Sequence, residues 1–412
     1  MSSRLRFPPS RGVAAGLAWL ALAGFLAAAD FVQDRFVIGL WVPPRTKERL
    51  AERYREIAQA HFNLVVGTTG LSPELQLQLC QAAGLKAIVS AEDPQSPLPD
   101  HEACWGYLLA DEPGAGAFPG LAQRVEAIRR QRPGRFGYVN LFPNYASAAA
   151  LGTPTYEEHV ARFVREVKPA VLSMDHDPLM RPEADTRDAY LANLETLRRH
   201  ALAAGIPFWN YFYSLPFGDR LDPTEAQIRW QVHASLAHGA RGILYFCYWT
   251  PGQGAGGAGE FPKGGALLTA EGVPTRHYEE ARRLNGELLQ LGPTLMRLTS
   301  LGIRRVKTGG STHAPVSGEP IRSLRPVAGD PPGEFLVGHF RHADGRRAVL
   351  LVNHSHAYTA WPTVEFDAPA EGVREVNRQD GQERPALDSS PELAGFQVSL
   401  GAGDARLFLL PR

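Results

Sequence analysis

Residues 103–114 read Ala-Cys-Trp-Gly-Tyr-Leu-Leu-Ala-Asp-Glu-Pro-Gly, an apolar, aromatic-rich strand that stops on two adjacent carboxylates, Asp111 and Glu112, ahead of Pro113. A strand buried on both faces ends on two acids where they project into a solvated mouth. In a barrel of parallel strands that mouth is the functional end. The plain alternative is a strand terminus and a Pro-Gly turn whose acids are simply hydrated. The rest of the chain separates the two.

Working outward, the apolar runs are Phe36–Trp41, Phe62–Gly67, Leu85–Ser90, Trp105–Ala110, Phe136–Leu141, Ala170–Met174, Pro207–Tyr213 and Gly242–Trp249. Between and after them lie stretches with helical spacing: Lys47–Ala60, Pro73–Ala83, Leu121–Arg130, Tyr156–Val167, Asp188–Ala204, Thr224–His238 and Thr275–Leu291. Asp222-Pro223 marks a helix start, and Gly205 and Gly239 mark helix ends. The Pro-rich link Asp93–His101 leaves little room for a helix between the third and fourth strands. Eight strands alternating with helices predict an α/β fold, a (β/α)8 TIM barrel. The runner-up is a doubly wound open sheet, but the first strand ends Gly39-Leu40-Trp41-Val42-Pro43-Pro44, with no glycine fingerprint for a pyrophosphate.

After residue 296 short alternating runs take over: Glu334–His342, Arg347–His354, Thr363–Phe366, Phe396–Leu400 and Arg406–Leu409. Turns such as Ala343-Asp344-Gly345 separate them, and together they read as a small antiparallel β-sandwich. The expected division is therefore 1–29 as a signal peptide or membrane anchor, 30–295 as the barrel and 296–412 as the sandwich. The sandwich reads as a structural cap more readily than as a saccharide binder. Asn353-His354-Ser355 matches a glycosylation acceptor.

Lys plus Arg and Asp plus Glu are 43 each, so the formal net charge is zero. That balance offers nothing to nucleic acid or to an acidic membrane and suits a neutral or weakly charged ligand. Arg4, Arg6 and Arg11 precede the apolar run Val13–Ala29, the pattern of an export signal. As a retained anchor the run is just short of the ~20 residues that a spanning helix needs. The expected location is periplasmic or extracellular. Cys80, Cys104 and Cys247 form neither a disulfide framework nor a zinc motif and read as buried thiols, with Cys80–Cys104 the nearer pair in sequence.

On a barrel, chemistry comes from the C-terminal ends of several strands. Those ends hold Trp41; Asp111 and Glu112; Asn140, Asn144 and Tyr145; Asp175, His176 and Asp177; Trp209, Asn210, Tyr211 and Tyr213; and Tyr245, Tyr248 and Trp249. Carboxylates, amides and aromatics are what a sugar site needs, because pyranose C–H faces pack on rings and hydroxyls need oriented partners. In Asp175-His176-Asp177, strand alternation turns both carboxylates one way and His176 the other. No metal site is expected, since no second His/Asp cluster stands at ligand spacing, and no cofactor is implied. Serine-hydrolase and zincin motifs are absent. The loop Gly252–Gly259 lacks the Lys-Ser/Thr of a phosphate loop and reads as a flap, with Glu260 and Lys263 at its edge.

At these residues the chain resembles the TIM-barrel glycoside hydrolases of the large retaining clan, in particular the family 42 β-galactosidase-like catalytic domain. The resemblance rests on Ala110-Asp111-Glu112-Pro113, where the clan has Asn-Glu-Pro, on the aromatic end Tyr245–Pro251 and on the β-domain that follows. It implies Glu112 as general acid/base and Asp111 in place of the Asn that contacts the sugar 2-hydroxyl. The clan's nucleophilic Glu at the end of strand seven has no counterpart in Phe208–Ser214. The candidates for the second carboxylate are then Asp175 and Asp177, with Glu260 third; the alternative is a tyrosine nucleophile at Tyr211 or Tyr213. The expected function is an exported glycoside hydrolase acting on an oligo- or polysaccharide. The alternative is a carbohydrate-binding barrel that has lost its nucleophile. The sequence leaves the oligomeric state open.

Overall fold

The computed structural model describes residues 30–181, 186–252, 261, 265–308 and 319–412. The export-signal reading of residues 1–29 and most of the Gly252–Gly259 loop, with Glu260 and Lys263, lie outside them. Each apolar run of the first part forms a strand: β1 Val37–Trp41, β2 Leu64–Val66, β3 Lys86–Ser90, β4 Cys104–Asp111, β5 Phe136–Asn140, β6 Leu172–Asp175, β7 Phe208–Tyr213 and β8 Gly242–Phe246. They pair in parallel in the order β5-β4-β3-β2-β1-β8-β7-β6. The two edges then meet, because the Leu141 amide donates to the Ser173 carbonyl at 2.9 Å and Leu141 bridges Met174 in parallel. The sheet is a TIM-type barrel.

The helices are α1 Leu50–Gln59, α2 Pro73–Ala82, α3 Phe118–Gln131, α4 Ala148–Leu151, α5 Tyr156–Val167, α6 Arg187–Ala204, α7 Glu225–Ala237 and α8 Arg276–Leu295. No helix separates β3 from β4. α7 starts one residue after the expected Thr224, which is its N-cap, and Asp222-Pro223 precedes it. There Thr224 and Gln227 close a reciprocal capping box, each side chain accepting from the other's amide. Asp222 instead pairs with Arg276 and His277 at the head of α8.

Alternation along each strand separates two cores. Val37, Leu64, Ile88, Leu108, Tyr138 and Leu244 fill the barrel interior with Trp209 and Tyr211. Their neighbours Ile38, Val65, Val89, Leu109, Phe212 and Ile243 face the helices. At the N-terminal end of the barrel, Phe31 packs edge-on against Trp105 and tilted against Phe136 at 4.3 Å. Gln33 accepts from Trp209 Nε1 at 3.0 Å and donates to the Arg241 carbonyl at 2.7 Å. These side chains stopper that end.

The remaining strands are β9 Leu298–Lys307, β10 Ile321–Arg325, β11 Glu334–His342, β12 Arg347–Asn353, β13 Thr363–Phe366, β14 Arg374–Val376, β15 Glu383–Pro385, β16 Phe396–Gln397 and β17 Ala405–Leu409. They form a six-stranded sheet, β15-β14-β17-β12-β11-β9, and a three-stranded sheet, β10-β13-β16. Phe335, Val337, Leu351, Val364, Phe366 and Phe408 fill the space between the sheets. The far face of the larger sheet, with Leu336, Phe340, Leu350 and Leu407, continues the helix-side core of the barrel. Trp230 of α7 donates to His354 Nδ1 at 3.0 Å across this junction. All three cysteines are buried free thiols. Asn353 is no glycosylation acceptor in this fold: it is 1% exposed, and its amide donates to the Tyr358 and Gly401 carbonyls.

At the junction, Gly338 of β11 leaves no room for a side chain. A Cβ there would sit 2.5 Å from the Ala237 carbonyl oxygen, a backbone atom that cannot rotate away. Gly338→Ala is expected to destabilise the protein by about 2–3 kcal/mol through overpacking, read as a lower urea midpoint. An unchanged midpoint would mean that the two halves yield at this seam.

Candidate active site

The site begins with an irregularity in β4. Leu108 pairs with Tyr138 of β5, but Ala110 pairs with Val139 and Asp111 with Asn140, so Leu109 is an inserted residue. Such a bulge reverses which face the following residues present. Without it Asp111 would face the helices; with it Asp111 shares the interior register of Asn140. Glu112 follows with φ 48°, a left-handed backbone unusual for a residue with a side chain. Its amide donates to the Asn140 carbonyl at 2.8 Å, which holds the turn. Strain of this kind, on the order of 1–3 kcal/mol, persists where the surroundings over-determine it.

Asn140 is the centre of the cluster. Its Nδ2 donates to Asp111 Oδ1 at 3.2 Å and to Asp175 Oδ1 at 3.3 Å. Its Oδ1 accepts from Ser173 Oγ at 3.1 Å, and Ser173 Oγ lies 2.7 Å from the Tyr138 hydroxyl. The two hydroxyls fix the flip of the amide, so its donor side must face the acids. Glu112 and Asp175 stand close enough to shift one another. Two carboxyls so placed titrate as a pair. Burial, then the charges of Asp111 and Asp177, push Glu112 up to about 7 against the favourable contact with Asp175. Burial, then Glu112, Asp177 and Asp111, push Asp175 well above the carboxylate range. Burial also raises Asp111, opposed by the Asn140 amide.

Asp177 stands apart. Burial raises it too, but Arg220 Nε lies 3.0 Å from its Oδ2 and holds it as an ion pair. The Arg220 guanidinium lies over the Phe217 ring, 4.8 Å from its centroid. Tyr145, 51% exposed, sits at the rim beside Arg220 and the strand-six acids. Trp41 meets Tyr211 edge-on at 5.5 Å just below the acids. The fold thus brings together Trp41, Asp111, Glu112, Asn140, Asp175 and Tyr211, with Asp177 and Tyr145 at the edge.

Eight other expected residues point elsewhere, among them Tyr213, whose hydroxyl donates to the Leu179 carbonyl, and Tyr245, whose hydroxyl donates to Asn285 Oδ1. His176 is 1% exposed, bonds Asn193 of α6 through Nδ1 at 3.0 Å, and is driven down to about 4 by burial. Asn144 donates to the Ala189 carbonyl of α6. Trp209 faces inward but at the stoppered end, bonded to Gln33. Asn210 faces outward to Tyr190 and Ser235. Tyr248 packs on Phe62 outside the barrel, and Trp249 bonds the Ala270 carbonyl beneath Arg53. Sequence reading missed Tyr138, Ser173 and Arg220. The first two stand two residues before Asn140 and Asp175, a spacing that would have found them, whereas Arg220 lies in an irregular loop with no such signal. Among the described residues, no group of three or more His, Cys, Asp or Glu is arranged to hold a metal ion.

No protein-family model and no curated protein matches the chain. Among solved structures it is similar to a β-galactosidase from the psychrophilic Marinomonas ef1, at 12% identity and TM-score 0.45 over 62% of this chain and 60% of that one. It is similar to a Bifidobacterium dentium β-glucuronidase complexed with coumarin-3-O-glucuronide, at 14% and 0.44 over 61% and 46%. A Croceicoccus marinus glucosidase aligns at 11% and 0.44 over 92% and 96%. The chain spans less than two thirds of the length of the first two.

The raised Glu112 carboxyl fixes a sign for pH dependence. Its folded value, about 7, exceeds its ordinary 4.5, so the stability it contributes is complete below 4.5 and is lost as pH rises to 7. Relative to wild type, Glu112→Gln should gain stability across that window, by on the order of 2 kcal/mol, and no more above it. Paired urea titrations at several pH values measure this, and a flat difference would remove the coupling.

Proposed function

We propose that this chain is a glycoside hydrolase cleaving O-glycosidic bonds of an oligo- or polysaccharide, with Glu112 as general acid/base and Asp175 as nucleophile. The observation that carries the reading is the convergence of both residues on Asn140 at the C-terminal mouth of the barrel, where its carbonyl accepts from the Glu112 amide and its side-chain amide donates to Asp175. That donation favours the Asp175 anion. In the proposed division Glu112 donates its proton to the leaving oxygen while an Asp175 oxygen attacks the anomeric carbon. Water, deprotonated by Glu112, then breaks the glycosyl ester and restores both groups.

Retaining enzymes keep the two carboxyls about 5–5.5 Å apart and inverting enzymes about 6.5–9.5 Å, and a covalent step on Asp175 is the retaining route. The ion pair with Arg220 makes Asp177 the poorer nucleophile. Asp111, open to solvent beside Asn140, suits a hydroxyl acceptor, and Trp41, with Tyr145 at the rim, suits a pyranose face. The family 42 likeness stays a resemblance carried by Asp111-Glu112-Pro113. Action outside the cytoplasm belongs to the same proposal and is supported by Arg4, Arg6, Arg11 and the apolar run to Ala29. One feature favours the rival reading, a saccharide-binding barrel without turnover: β7 ends on Tyr211 and Tyr213 with no acid.

Reducing-sugar release from a panel of oligosaccharides separates the readings. Glu112→Gln and Asp175→Asn should each lower kcat/KM by about 10²–10⁴, and Asp177→Asn by much less. Wild-type kcat/KM should fall as pH rises past about 7, where Glu112 loses its proton. Full turnover by Glu112→Gln would remove it from the acid role. A greater loss in Asp177→Asn than in Asp175→Asn would transfer the nucleophile. Binding without release by the wild type would favour the rival.

A further inference from the structure

Among the described residues only three aromatic side chains are exposed: Tyr145 at the rim of the candidate active site, and Tyr358 (77%) and Trp361 (45%). The last two line one cleft of about 490 Å³ in the C-terminal domain. That volume lies within the range of small-ligand sites. Polar groups edge it, among them Lys307, Asn353 and Glu334, while Phe335 and Pro332 floor it.

The loop that carries the two rings is held in place. Asn353 Nδ2 donates to the Tyr358 carbonyl at 2.7 Å and to the Gly401 carbonyl at 3.0 Å. Its Oδ1 accepts from the Ser355 amide, and Ser355 Oγ accepts from the amides of Ala357 and Tyr358. On this braced loop Tyr358 and Trp361 keep ring surface open to water, which a ligand's apolar face could cover. A second cavity of about 630 Å³ shares Arg187 and Ser355 with this cleft and is lined at its other side by Pro178, Leu179 and Leu221. Pro178 directly follows Asp177. The second cavity thus begins one residue beyond the edge of the candidate site and adjoins the aromatic cleft.

We propose that the Tyr358–Trp361 cleft is a second saccharide-binding site, which holds a distal stretch of a glycan whose other stretch lies at the barrel mouth. Sugar rings fit because each presents an apolar face to an aromatic and hydroxyls to a polar edge. The inference rests on the glycoside hydrolase reading for the continuity of the chain between the two places, and on the cleft alone for the saccharide.

The test is affinity electrophoresis of the full chain through gels containing xylan, mixed-linkage β-glucan, galactan, pectin or amylose, alongside hydrolysis of short oligosaccharides. At least one polymer should retard the wild type. Trp361→Ala and Tyr358→Ala should each weaken retardation about tenfold, with short-substrate turnover and urea midpoint unchanged, and Trp361→Tyr should restore much of it. Glu112→Gln should abolish turnover and keep retardation. Retardation that survives both alanine variants, or a wild type that cleaves oligosaccharides yet is retarded by none of the polymers, overturns the second site. Retardation dependent on Trp361 without turnover upholds the site and overturns the hydrolase reading.

Discussion

The inserted Leu109 is the constraint on which the site depends. A strand alternates its faces, so an acid at the end of an unbroken β4 would have met α-helical packing instead of the mouth. One extra residue re-aims Asp111 at Asn140, and the left-handed backbone at Glu112 carries its carboxyl over the opening toward Asp175. Neither device is stable by itself. Both lean on Asn140, whose carbonyl accepts from the Glu112 amide while its side chain donates to Asp111 and Asp175. A single residue of β5 thus secures backbone and side chains from two other strands.

Crowding four carboxyls into one mouth opposes folding, since each loses hydration and three repel one another. The molecule offsets this in three different ways. Glu112 and Asp175 titrate as a pair, Asp111 keeps contact with water and an amide, and Asp177 takes a cation. These solutions make the acids chemically unlike one another although their types are the same, and the proposed division into an acid and a nucleophile relies on that difference. The large barrel core beneath them provides the stability from which such a site can be built.

The barrel was legible in the sequence because parallel strands buried on both faces leave continuous apolar runs. Much of the C-terminal domain was not. β9 carries Arg304 and Arg305 on a half-exposed strand, and β14 and β15 are three residues each, rich in charge. Within the site, Asp111, Glu112 and Asp175 announced themselves as acids at the ends of apolar strands. The errors came from direction and depth. Asn210 has the wrong parity, Trp209 has the right parity at the wrong end, and Tyr248 and Trp249 follow β8 after the chain has turned outward; His176 is turned aside as strand alternation implies. Bulges and strand ends are set by neighbouring strands, so a linear pattern does not contain them.

The stopper formed by Phe31 and Gln33 closes the barrel at the end opposite the acids. The interior between is packed with buried side chains, so the charge of the acids is screened from above and scarcely at all from below. Field lines from Asp111, Glu112 and Asp175 then emerge through the mouth, where an approaching cation or a developing oxocarbenium charge would meet them undiluted. The same geometry ties the chain before β1 to the electrostatics of the far end. Trimming the segment past Phe31 would admit water beneath Trp209 and weaken that field without touching a single acid.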